Sequence, residues 1–103
     1  MIFDTWGGSL TPRAFKTFSC DNLKQICHGL IREVDGEVIP RVVFTKGGGQ
    51  WLEALAGTGA DALGIDWSTD LGSARAKVGD RVALQGNMDP AVLLTNPDVV
   101  KKE

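Results

Sequence analysis

Lys46, Asp4, Asp66, Gln85 and Asn87 stand where short apolar runs stop, and each carries a group that can hold or move charge. Lys46 follows Val42-Val-Phe-Thr45 and is the one basic residue placed directly at the end of such a run; Arg13, Lys16, Lys24, Arg32, Arg75 and Lys77 fall on helical stretches. A lone lysine there either holds one carboxylate of an anionic ligand or pairs with Asp66 or Asp4 of a neighbouring unit, and spacing leaves both open. Asp4 and Asp66 are acids, bases or acceptors by type. Residues in that position more commonly cap the next helix or anchor a loop, which is the role expected of them here. Trp6 and Trp67 occupy matching places and could floor a flat apolar cavity or simply pack loops. Gln85 and Asn87 flank Gly86 and offer uncharged hydrogen bonds to a ligand or to a neighbouring loop.

Gly47-Gly-Gly49 after Lys46 suggests a phosphate cradle, but it is neither GxxxxGK[ST] nor GxGxxG. A tight turn with room for something to approach the backbone accounts for it better. His28, the only histidine, belongs to the polar side of a helix beside Lys24 and Arg32 and reads as a solvated surface residue. Cys20 and Cys27 lie on that same helix with Cα atoms roughly 10 Å apart, outside disulfide reach, and are expected to be reduced thiols. One histidine and two cysteines on a single helix make no zinc site, and no Ser-His-Asp or Cys-His pattern is visible.

These positions need elements to hold them. Met1-Ile-Phe-Asp-Thr-Trp-Gly-Gly8 runs from an apolar strand through a polar and aromatic tip into a glycine pair. The same plan returns at Pro40–Gly49, Ala62–Trp67 and Arg81–Pro90. Thr11-Pro12 starts a helix whose apolar residues Phe15, Phe18, Leu23, Ile26, Cys27, Leu30, Ile31 and Val34 predict one broad buried stripe, ended by Asp35-Gly36. Strand Arg41 to Thr45 leads to a helix with Trp51, Leu52 and Leu55 inward, stopped near Gly57-Thr-Gly59. Strand Ala62 to Asp66 precedes a helix from Leu71 to Val78 capped by Ser68, Thr69 or Asp70. After the fourth strand, Asp89-Pro90 and Asn96-Pro97 each open a short helix.

Four strand-helix alternations with nearly continuous apolar strands predict a parallel sheet covered by helices. Polar tips at successive carboxyl ends predict one functional face. Four consecutive βα units are half of a (β/α)8 TIM barrel, so the fold class expected is α/β, a partial barrel. Residues 1–103 are expected to form one incomplete barrel domain lacking both flanks, because the chain opens inside a strand and stops inside a helix. The composition sets bounds on function. A 43% hydrophobic content suits one globular domain, and a net charge of −2 argues against a nucleic-acid partner. No apolar run approaches the ~20 residues that span a bilayer, and no signal peptide is seen, so a cytoplasmic location is expected.

Phe3-Asp-Thr-Trp-Gly-Gly8, Phe44-Thr-Lys-Gly-Gly48, Gly64-Ile-Asp-Trp-Ser68 and Leu84-Gln-Gly-Asn-Met-Asp-Pro90 resemble, in order and spacing, consecutive segments of the uroporphyrinogen decarboxylase family. The resemblance covers essentially the whole chain and falls in the second half of those enzymes. It implies a (β/α)8 barrel acting as a cytosolic homodimer in haem and chlorophyll biosynthesis. Uroporphyrinogen III would be the substrate, its acetate side chains converted to methyl groups with release of CO2, and no metal or organic cofactor would be used. The family's substrate-contacting hydroxyl falls on Thr5, which would hydrogen-bond a substrate carboxylate. Lys46, by its place at a strand end and not by any family motif, would be a second substrate-binding residue, holding a carboxylate by charge. The family's arginine motif, pyrrole-gathering aspartate, pocket tyrosine and late histidine have no counterparts here, so no catalytic residue is assigned and the segment alone is expected to be inactive.

Two alternatives stand beside this. Corrinoid- or cobalamin-linked methyltransferases of the same superfamily share the barrel but take zinc ligands from other positions. A non-catalytic glycine-rich α/β phosphate-binding module would explain Gly47-Gly-Gly49 without a barrel.

Overall fold

The computed structural model describes residues 1–103. Four short strands, β1 (Ile2–Asp4), β4 (Val42–Thr45), β5 (Ala62–Gly64) and β6 (Ala83–Gln85), form one sheet in the order β1-β4-β5-β6, every pair parallel. The sheet follows chain order with no reversal, as in the wall of a (β/α)8 barrel rather than a doubly wound sheet. The register aligns Ile2, Val43, Leu63 and Leu84 in one row and Phe3, Phe44, Gly64 and Gln85 in the next.

Successive strand residues face opposite ways, so those two rows belong to different sheet faces. Val43 and Leu63 are fully buried against the helices. Phe3, by contrast, is 66% exposed and meets Phe44 edge-on with ring centroids 5.9 Å apart. One face is therefore a core and the other is open, which is the arrangement of a partial barrel. β1 and β6 each have a single neighbour, leaving two unpaired edges.

The first helix starts as expected: Thr11 Oγ1 accepts the Ala14 N–H and Pro12 takes the first helical position. It runs through α1 (Pro12–Phe15), a π turn at Lys16–Cys20 and α2 (Asp21–Gly29). Phe15, Ser19, Leu23 and Cys27 recur four apart and are buried on its inner face. The predicted continuation to Val34 is not what forms. Phe18 is 74% exposed, Ile26, Leu30, Ile31 and Val34 are also exposed, and residues 33–38 make a β-hairpin of β2 (Glu33–Val34) and β3 (Glu37–Val38). Asp35 and Gly36 both take positive φ, 53° and 83°, the two-residue turn that Asp-Gly favours. That local preference overrides the helical spacing of the apolar residues.

The remaining helices match expectation closely. α3 (Leu52–Ala56) buries Leu52 and Leu55, and α4 (Leu71–Val78) buries Ala74 and Val78. Asp70 proves to be the α4 cap, accepting the Ser73 N–H at 2.7 Å. Asp89 caps the 3-10 turn Pro90–Leu94, and Asn96 caps α5 (Pro97–Val100). Cys20 and Cys27 are free thiols. No helix is long and apolar enough to cross a membrane.

Candidate functional site

The carboxyl ends of β1, β4 and β5 open into a common cleft of about 230 Å³, lined by Thr5, Trp6, Lys46, Asp66, Trp67 and Ser68 among others. The strand tips thus converge on one end of the sheet, as their spacing predicts. Each neighbouring pair of loops is fastened separately. Between β1 and β4, the Gly8 N–H donates to the Lys46 carbonyl at 3.1 Å, Gln50 Nε2 to the Gly8 carbonyl at 3.0 Å, and Trp51 Nε1 to the Gly7 carbonyl at 3.1 Å. Between β4 and β5, Asp66 Oδ2 accepts the Gly47 N–H. Between β5 and β6, Asn87 Nδ2 donates to the Thr69 carbonyl.

The glycines exist for these contacts. A Cβ on Gly8 would lie 2.6 Å from Gly47 Cα, and one on Gly48 would lie 3.1 Å from Thr45 Cβ. Gly47 takes a left-handed φ of 67°, which ends the strand and turns the chain toward α3. What approaches the backbone at Gly47-Gly-Gly49 is therefore the protein's own Gly8, Thr45 and Thr69. With the Gly47 N–H committed to Asp66, the phosphate-cradle alternative loses a donor, and the tight-turn account holds.

Lys46 is exposed on the cleft, with Nζ 5.8 Å from the centre of the Trp67 ring. It makes no ion pair with Asp4 or Asp66, because both carboxylates are engaged elsewhere. Asp4 Oδ2 accepts the Ser19 hydroxyl from the π turn, which ties β1 to the first helix. Asp66 is 8% exposed; Oδ1 accepts the Ser68 N–H at 3.0 Å and the Ser68 hydroxyl at 2.5 Å, while Oδ2 takes Gly47. Burial pushes the Asp66 carboxyl up, but the Ser68 hydroxyl and the N–H groups of Gly47 and Ser68 outweigh it, and its pKa lies below the ordinary carboxylate value. Asp66 thus anchors a loop, whereas Asp4 fastens its strand to the first helix.

Thr5 is exposed on the same cleft as Lys46, so the two residues singled out from sequence are brought together. Trp6, 70% exposed, and the half-exposed Trp67 present ring surface to that space. Gln85 and Asn87 do not join it. Asn87 lines an adjoining cleft with Trp67 and Met88, and Gln85 uses its carbonyl to accept the Ile65 N–H at 2.8 Å. His28 is exposed on α2, Nδ1 2.6 Å from the Lys24 carbonyl. No group of three or more His, Cys, Asp or Glu side chains is placed to hold a metal ion.

Ser19 carries no expectation from sequence, and Ser68 is expected only as one candidate cap of α4, a role that Asp70 takes. Ser68, two residues after Asp66, carries the local signal of a side chain bonding its own loop. Ser19 carries none, being 15 positions from its partner Asp4.

A family model described as "Uroporphyrinogen decarboxylase (URO-D)" matches residues 1–103. Similar curated relatives bear the name uroporphyrinogen decarboxylase. That of Hydrogenovibrio crunogenus is 62% identical over 102 residues, covering 99% of this chain and 29% of the relative. That of Saccharophagus degradans is 59% identical over 102 residues, again 99% and 29%. That of Idiomarina loihiensis is 60% identical over 103 residues, 100% and 29%. The chain spans less than a third of the length of these relatives.

Proposed function

The chain belongs to the uroporphyrinogen decarboxylase family, and from that premise we propose that it forms one wall of the substrate cleft in a full-length uroporphyrinogen decarboxylase. That enzyme, a carboxy-lyase, converts the acetate side chains of uroporphyrinogen III to methyl groups, giving coproporphyrinogen III. Residues 1–103 then constitute an incomplete barrel domain, flanked on both sides by the rest of the enzyme. The parent acts as a cytoplasmic homodimer in this proposal.

The observation that carries it is the convergence of Thr5, Lys46, Trp6 and Trp67 on one cleft at the strand carboxyl ends. A flat macrocycle ringed by carboxylates needs apolar ring surface beneath it and donors or cations at its edge. Trp6 and Trp67 supply the first. The Thr5 hydroxyl donates to a substrate carboxylate, and Lys46 attracts one by charge.

Decarboxylation needs a proton delivered to a pyrrole α-carbon, after which the ring accepts the electron pair released with CO2. A second proton on the resulting exocyclic methylene completes the methyl group, and loss of the first proton from the α-carbon restores the pyrrole. The substrate is its own electron sink, so no metal or organic cofactor is required. Asp66, the carboxyl in this cleft, is a poor source of that proton, because three donors hold it ionised. This segment therefore binds and orients, and the proton-transfer groups belong to the remainder of the enzyme.

The test is turnover of uroporphyrinogen by the full-length enzyme carrying this segment. Coproporphyrinogen formation with release of CO2 is expected. Absence of decarboxylation, with zinc-dependent methyl transfer from a corrinoid instead, would assign the segment to the methyltransferases of the superfamily.

A further inference from the structure

We infer that Asp66 is a positioning residue for substrate binding: its carboxylate latches the β4 and β5 loops together and so sets Lys46 and Trp67 against each other on the cleft wall. The inference rests on the reading that Lys46 holds a substrate carboxylate.

The geometry is specific. Asp66 Oδ2 takes the N–H of Gly47, the residue next to Lys46, across a sequence separation of 19. Oδ1 takes the N–H and hydroxyl of Ser68, the residue next to Trp67. One buried side chain thus fixes the backbone beside both members of the Lys46–Trp67 pair. Without it, Gly47 would be a glycine in a left-handed turn with its N–H unpaired, and the Lys46 side chain would sample many directions. Asp66 lines the cleft, but both of its oxygens are taken by these donors, which separates positioning from chemistry.

Charge is needed for this latch. A carboxylate accepts on both oxygens, and charge-assisted bonds to backbone N–H groups are the stronger kind. An asparagine keeps one acceptor oxygen and turns an NH2 donor toward either Gly47 N–H or Ser68 N–H, so one side of the latch opens.

The experiment uses the full-length enzyme carrying this segment, with Asp66→Asn, Lys46→Met, the double variant, and Asp70→Asn as a control for loss of a carboxylate that only caps α4. Asp66→Asn is expected to raise the KM for uroporphyrinogen about tenfold, the scale of one charge-assisted hydrogen bond, with kcat within about threefold. Adding Lys46→Met should bring little further rise, since the second change acts on a contact already misplaced. Asp70→Asn should leave KM unchanged. Amide exchange at Gly47 should speed up in Asp66→Asn.

Unchanged KM in Asp66→Asn while Lys46→Met raises it would overturn this inference alone. Multiplying effects in the double variant would overturn it as well, and so would a collapse of kcat at constant KM, which would make Asp66 a chemical group. A silent Lys46→Met beside an effective Asp66→Asn would instead sink the carboxylate-holding role of Lys46 and any relay through it. Should Asp66→Asn fail to fold, amide exchange in the unaltered enzyme decides: protection at Gly47 equal to that of the strand amides supports the latch, and exchange typical of an open loop overturns it.

Discussion

The indole N–H of Trp51 donates to the carbonyl of Gly7 at 3.1 Å, across 44 positions of sequence. The same ring lies flat on Phe15, with centroids 4.6 Å apart and planes 6° from parallel. One side chain thereby joins the loop after β1, the first helix and the start of α3. The cleft wall that carries Thr5 is held from behind by this contact.

Trp51→Phe keeps most of the ring stacking and deletes the donor. It is expected to destabilise the full-length enzyme by about 1 kcal/mol, the net worth of one hydrogen bond. Trp51→Ala removes the ring as well and should cost about 2–4 kcal/mol, at or below the range for deleting a large aromatic because the site is only half-buried. Urea denaturation midpoints measure both, and equal losses would mean that the stacking contributes nothing.

Thr5→Val is nearly isosteric and lies on an exposed wall, so stability should change by less than about 0.5 kcal/mol. The KM for uroporphyrinogen should rise severalfold. Lys46→Met should likewise raise KM rather than lower kcat, the pattern of lost uniform binding. Steady-state kinetics on the two full-length variants reads this directly, and unchanged constants would remove either residue from the site.

Glycine substitutions should split by location. A Cβ on Gly8 collides with the Lys46 carbonyl and with Gly47, both backbone, so Gly8→Ala must push two loops apart at about 1–3 kcal/mol. Gly29 ends α2, and a Cβ there meets nothing within 4 Å, so Gly29→Ala should be neutral or stabilising by up to about 1 kcal/mol. Thermal shift of the two variants compares them, and a loss at Gly29 equal to that at Gly8 would contradict the packing.

Acid stability should depend on Asp61. The Arg32 guanidinium grips its two oxygens at 2.5 and 2.6 Å, and the Arg41 N–H donates at 2.7 Å, holding its carboxyl well below the usual carboxylate range. A depressed folded-state pKa contributes stability that is complete above the unfolded value of about 3.9 and is lost as pH falls below it toward the folded value. Urea midpoints should therefore drop below about pH 4, and Asp61→Asn should flatten that limb while lowering stability by a constant amount at neutral pH. An unchanged acid limb in the variant would show that other carboxylates, such as Asp66 and Asp70, dominate it.

Residues 1–103 expressed alone should associate or stay loosely packed. The sheet has two unpaired edges, and its uncovered face carries Phe3 and Met1. Sedimentation should show self-association that grows with concentration. A sharp two-state melt of a concentration-independent monomer would refute this.

The amino-acid sequence by itself determined the four strand-helix alternations, the capping of helices at Thr11, Asp89 and Asn96, the α4 cap to within Ser68, Thr69 or Asp70, and the placing of Thr5, Trp6, Lys46 and Trp67 at strand tips. Such features depend on backbone groups within a few residues, so their signals are local. Tertiary structure decided the rest. Ser19 found Asp4, and Asp66 turned to Gly47 rather than to Lys46, which came to rest over Trp67. Those choices are set by the distance between loops that parallel strand pairing brings side by side, and residues so far apart in the chain carry no local signal of which partner they will meet.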